Sequence, residues 1–154
     1  MGISNEFKKR VKELTDEMAE INKTQRAKAI GIEPTTFSNV YNYGIIPKTP
    51  TLIKIADYFN VSIEYLMGLT DNDYFEKSKG GIVFWERLEE LRNEKEISTV
   101  YKLSQEILIH KNNIAQWYKI KCLPLIDDLL IIAKYFNVSV DYLLGRTDDR
   151  ISYV

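Results

Sequence analysis

The chain has 154 residues, 45% of them apolar, with 21 Lys and Arg against 22 Asp and Glu. That length allows one or two small domains with ordinary cores, and the near-neutral balance excludes polyanion binding by bulk charge while leaving a local basic face open. A single cysteine, Cys122, excludes an intrachain disulfide, no apolar run approaches the roughly 20 residues that span a bilayer, and the N-terminus lacks the apolar stretch of a signal peptide, so a soluble cytoplasmic protein is expected.

In chain order the pattern is helical throughout. Phe7, Val11, Leu14, Met18 and Ile21 recur at steps of four and three, the stripe of an amphipathic first helix. A short second helix covers about Lys23–Ile30. It ends at Gly31-Ile32, where glycine supplies the positive φ of a tight helix-to-helix turn. A third helix starts at Pro34, a residue suited to the first helical position, and Pro47 closes the loop beyond it. Leu52, Ile55, Ala56 and Phe59 stripe a fourth helix. Ser62 then caps a short fifth, with Glu64 favourably placed against its dipole and Gly68 as its stop. The β-branched pair Ile45-Ile46 is too short for a strand.

The same series then returns. Phe84, Leu88 and Leu91 stripe a first helix, about Val100–Ile107 forms a second, Leu108-Ile109 the turn, and Lys111 opens a third. Leu129, Ile132, Ala133 and Phe136 mark a fourth; Ser139, Asp141 and Gly145 frame a fifth. Leu108 stands where the first series has Gly31, so strain or a different turn is expected there. Phe7–Asp71 aligns on Phe84–Asp148 without a gap, and "DYFNVSIEYLMGLTD" answers "KYFNVSVDYLLGRTD" almost residue for residue. Ile21 is read as the counterpart of Ile97, with the junction shifted by one residue. Each copy is near the lower size at which a domain folds alone. The organisation expected is a domain over 1–71, a polar linker over 72–83 ("NDYFEKSKGGIV") and a second domain over 84–154.

Helix, helix–turn–helix and two closing helices, twice over, resemble the phage-repressor (Cro/lambda-repressor-like, xenobiotic-response-element) helix-turn-helix family. The resemblance rests on "TQRAKAIGIEPTTFSNVYNYGIIPKTPTLIKIADYFNVSIEYLMG" and "FWERLEELRNEKEISTVYKLSQEILIHKNNIAQWYKIKCLPLIDDLLIIAKYFNVSVDYLLG". It implies an all-α fold of two tandem five-helix lambda-repressor-like domains that bind double-stranded DNA, with no cofactor and no metal. The sequence departs from the family at Arg26 and Ser104 in the second helices and at Leu108 in the turn.

In such a motif the third helix of each domain enters the major groove, and its N-terminal side chains meet base edges. In the second copy the implied readers are Lys111, Asn112, Asn113 and Gln116, with Lys102, Lys119 and Lys121 on phosphates. In the first copy the surface is Thr35, Thr36, Ser38, Asn39 and Asn42, with Lys23, Arg26, Lys28 and Lys48 on the backbone. Asn and Gln match adenine, and Lys reaches guanine acceptors. Phe37, Ile114, Val40 and Trp117 are expected in the core. His110 is expected as a cap or a phosphate neighbour, since a lone histidine makes no standard zinc site. Glu86, Glu89, Glu90, Glu94 and Glu96 are expected to form a solvated helix face, and Lys8, Lys9, Arg10 and Lys12 either the same kind of face or a phosphate patch.

The expected function is a sequence-specific DNA-binding transcriptional regulator, bacterial or phage in type. The alternative is a protein-interaction module, antitoxin-like or anti-repressor-like, in which one or both copies no longer read DNA. A homodimer or a protein partner stays open. No nucleophile motif, metal cluster or phosphate loop supports an enzyme.

Overall fold

A computed structural model describes residues 2–151. It is all-α: ten helices lie among the described residues, with one isolated bridge between Ile3 and Ile45. No described helix is long and apolar enough to cross a membrane. The chain divides into two compact units, Met1–Phe75 and Glu76–Val154.

The first unit holds α1 (Asn5–Asp16), α2 (Lys23–Ile30), α3 (Pro34–Tyr43), α4 (Thr49–Phe59) and α5 (Ile63–Leu66). Local chemistry starts three of them. Ser4 Oγ accepts from the Phe7 amide at 3.1 Å, Asn22 Oδ1 from Gln25 at 2.8 Å and Ser62 Oγ from Tyr65 at 2.9 Å. Each satisfies an amide that the helix itself cannot. α1 packs on α3 and α5, and α2 packs on α3 and α4. Phe7, Val11, Ala27, Phe37, Leu52, Ile55 and Leu66 are buried between them. Each large side chain so buried contributes about 1.5–3 kcal/mol.

α1 stops short of the predicted stripe. It ends at Asp16, so Met18 and Ile21 lie beyond it, and Ile21 is 87% exposed. Thr15 takes the buried position instead, its hydroxyl donating to the Val11 carbonyl at 2.7 Å. Asp16 and Glu17 place negative charge at the negative end of the helix dipole, where continuing the helix is disfavoured. Ile97 is buried, so Ile21 is not its counterpart. In the gapless register Glu20 stands opposite Ile97.

The second unit holds α6 (Phe84–Glu94), α7 (Val100–Ile107), α8 (Lys111–Lys119), α9 (Ile126–Phe136) and α10 (Val140–Leu143). α7 packs on α8 and α9, and α10 on α6 and α9. Phe84 meets Trp117 edge-on, ring centroids 5.9 Å apart, which seats α8 against α6. Part of the stretch read as a linker belongs to this unit: the Ser78 amide donates to the Arg146 carbonyl at 2.8 Å, and Gly145 lies against Ile82.

A clasp recurs in each unit. The Arg10 guanidinium lies 4.2 Å over the Tyr65 ring and pairs with Asp71. Arg87 lies 3.9 Å over Tyr142 and binds Asp148 at 2.9 Å. A stacked arginine suits this role, since its flat cation fits both the ring and the carboxylate. The clasp ties the first helix to the fifth and gives the repeated Thr-Asp ending a structural task. Asp141 is more than a dipole partner: it is 2% exposed and forms a buried ion pair with Arg146. In the first unit Leu69 stands at the Arg146 position.

Candidate nucleic-acid interface

The turn between α2 and α3 is held by Gly31 at φ 89° and ψ 30°, its amide donating to the Ala27 and Lys28 carbonyls. Lys54 Nζ donates to the Gly31 carbonyl at 3.3 Å, tying α4 to the turn. Phe37 and Val40 bury one face of α3, which leaves a polar face outward. Tyr41 fixes the helix to α1, its hydroxyl donating to Asp16 at 2.7 Å. That bond, with some burial, raises the Tyr41 phenol above its ordinary range. At the end of α3, Gly44 adopts φ 68°, and a Cβ there would meet the Ser4 carbonyl oxygen at 2.5 Å. Only glycine allows that approach.

The predicted surface of the first unit is only partly free. Thr35 is exposed, while Thr36, Ser38 and Asn39 are half-buried. Asn42 is exposed, but its side-chain oxygen accepts from Lys23 Nζ at 2.6 Å. Lys23 also lies 4.8 Å from the Tyr41 ring centre. Arg26 is turned inward, binding Asp16 at 3.0 Å with its side chain 13% exposed, so it is not placed as a free phosphate ligand. Lys28 and Lys48 are exposed. Thr36 and Asn39 of α3 share a notch of about 270 Å³ with Ile45, Ile46, Pro47, Lys48 and Thr51.

In the second unit Leu108 takes the same left-handed turn as Gly31, at φ 58° and ψ 33°. His110 is the cap of α8: its Nδ1 accepts from the Asn112 amide at 3.1 Å. Ile114 and Trp117 face the core. Lys111, Asn112, Asn113, Gln116 and Lys119 are all exposed along α8. Lys111 Nζ lies 5.8 Å from the Tyr101 ring centre, and Lys102 Nζ is 3.3 Å from Ser98 Oγ. Lys121 occupies the Gly44 position at φ 56°, with its ammonium 4.9 Å over the Trp85 ring rather than free. Tyr118 accepts from Arg92 at 3.3 Å, and burial pushes its phenol up. Tyr41 and Tyr118 thus share an anchoring role.

The lysine-rich and glutamate-rich faces expected on the first helices each line a groove. Asn5, Lys8, Lys9, Lys12, Glu13 and Asp16 line a groove on α1. In the second unit, Trp85, Glu86, Glu89, Glu90, Asn93 and Tyr118 line a groove on α6. The same face is therefore lysine-rich in one unit and glutamate-rich in the other. The signal was present in the pairs Lys9/Glu86 and Lys12/Glu89, which stand at the repeat distance. Among the described residues no group of three or more His, Cys, Asp or Glu is placed to hold a metal ion.

Comparison with known proteins gives a partial likeness. No family model matches the chain, and no solved structure matches it. The chain is 36% identical over 67 residues to an uncharacterized HTH-type transcriptional regulator, YobD, of Bacillus subtilis (strain 168). The match covers 44% of this chain and 59% of the relative.

Proposed function

We propose that the chain is a sequence-specific, double-stranded DNA-binding transcriptional regulator carrying two helix-turn-helix motifs of the phage-repressor type. The observation that carries this reading is the third helix of each unit. It follows a tight left-handed turn, buries one face and presents an outward row of amide, hydroxyl or ammonium groups. The partial likeness to a protein named as an HTH-type transcriptional regulator supports the same class.

In the second unit Asn112, Asn113 and Gln116 read base edges, Lys111 reaches guanine acceptors and Lys119 holds phosphate. In the first unit Thr35, Thr36, Ser38 and Asn39 do the reading, and Lys28 and Lys48 hold the backbone. Asn42 and Lys121 join only by giving up the Lys23 and Trp85 contacts. The reading is tested by selecting duplexes from a random library with the full chain. Asn113→Ala should then relax preference at one base pair, whereas Lys119→Ala should weaken every sequence alike. Selection of no duplex sinks the proposal.

A second reading is favoured by the glutamate-lined groove on α6 and by the exposed Leu125 and Ile131 of the second unit. There the second unit associates with protein, and only the first reads DNA. An Asn112→Ala/Asn113→Ala/Gln116→Ala variant that keeps wild-type affinity and preference would show that the second unit does not read DNA, as this version requires.

A further inference from the structure

We propose that the notch between α3 and the loop after it in the first unit reads an A·T base pair by enclosing the thymine 5-methyl group. This rests on the DNA-binding reading above and adds the identity of the base pair. Ile45 and Pro47 give the notch an apolar wall, and Thr36 and Thr51 can add their methyl groups to it. Asn39 supplies the amide on the same rim, and Lys48 stands exposed at the side nearest α4.

Those groups complement one pair better than the others. Thymine alone presents a methyl group in the major groove, and its adenine partner offers the N7 acceptor and N6 donor that an asparagine amide matches bidentately. Cytosine presents an amino donor and a bare C5, and guanine two acceptors. Neither fills an apolar wall. The adjoining phosphate carries the negative charge that Lys48 complements. The second unit does not repeat the combination: Leu125 and Asp128 stand where the first has Lys48 and Thr51.

The test replaces each thymine of the selected duplex by deoxyuridine, one at a time, and measures binding of the full chain. Deoxyuridine keeps every hydrogen-bonding group and loses only the methyl. At one position affinity should fall about fourfold, the value of one buried methyl. The loss at that position should shrink in Ile45→Ala and in Thr36→Ser, the second a change too small to disturb folding. In Asn39→Ala the preference for A·T at the same pair should relax. If every thymine can lose its methyl with less than about a 1.5-fold change, the notch is not a methyl site although the chain still binds DNA. A fourfold loss that persists unchanged in both notch variants places the methyl elsewhere and also overturns the proposal. Failure to select any duplex overturns the DNA-binding reading itself.

Discussion

Replacing Leu108 by glycine should stabilise the second unit. Leu108 holds φ 58° and ψ 33° at the end of α7 and is 89% exposed. A residue with a Cβ pays about 1–2 kcal/mol in the left-handed region. Glycine removes that cost but gives the unfolded chain extra freedom, worth about 0.4–1 kcal/mol. Almost no apolar burial is lost, because the side chain already lies in water. The net expectation is a gain of about 0.5–1 kcal/mol. In a unit of this size that raises the melting temperature by roughly 2–8 °C. Gly31 provides the mirror test. It holds φ 89°, and nothing lies within 4 Å of an added Cβ, so Gly31→Ala isolates the backbone cost. It should destabilise the first unit by a similar amount. Scanning calorimetry of both variants gives the answer. If Leu108→Gly lowers its transition, the leucine is contributing packing that outweighs the strain, and the reasoning fails.

Other outcomes follow from the same contacts. Arg146→Ala leaves the buried Asp141 carboxylate without its cation and should cost about 3–5 kcal/mol in denaturant unfolding; a loss below about 1 kcal/mol would mean the carboxylate is satisfied otherwise. Ser62→Ala removes the cap of α5 and should cost about 1 kcal/mol, read from the denaturant midpoint. Its hydrogen bond to Arg150 holds the Glu94 carboxyl below the ordinary glutamate range, despite slight opposing burial. A carboxylate with a lowered folded-state pKa stabilises above its unfolded value and loses that contribution as pH falls through the lowered one. The gap in melting temperature between the parent and Glu94→Gln should therefore be small at neutral pH and close on acidification below the glutamate range. A gap that widens as pH falls would contradict the assignment.

Much of the fold could be read from residues that act locally. α2, α3 and their counterparts lie where Gly31, Pro34 and the apolar spacing put them, and Ser62 and Ser139 do cap the short closing helices. The end of α1 was misread because Met18 and Ile21 continue an apolar spacing that the acidic C-terminal turn does not support as helix. The arginine clasp was invisible for another reason. Nothing local links Arg10 to Tyr65 and Asp71, which meet only once the helices pack. Its trace was the recurrence of all three at Arg87, Tyr142 and Asp148, beyond what helix formation requires.

The candidate interface was legible as a surface but not as a set of free groups. The placement of the third helices follows from Pro34 and His110, so their outward residues could be named. Which of those are already engaged depends on side chains from other helices. Arg26 is drawn to Asp16, Asn42 to Lys23 and Lys121 to the Trp85 ring. The notch beside Asn39 likewise requires the loop at Ile45–Lys48 to fold back beside α3, which no spacing in the sequence specifies.

The proposed role requires the chain to recognise duplex DNA through its third helices. The most direct measurement is the affinity of the full chain for its selected duplex and for a scrambled duplex across a range of salt concentrations. The selected duplex should bind more tightly at every salt. The logarithm of each affinity should fall linearly with the logarithm of salt as phosphate-bound counterions are released. Equal affinity for the two duplexes, or no binding of either at low salt, would contradict it.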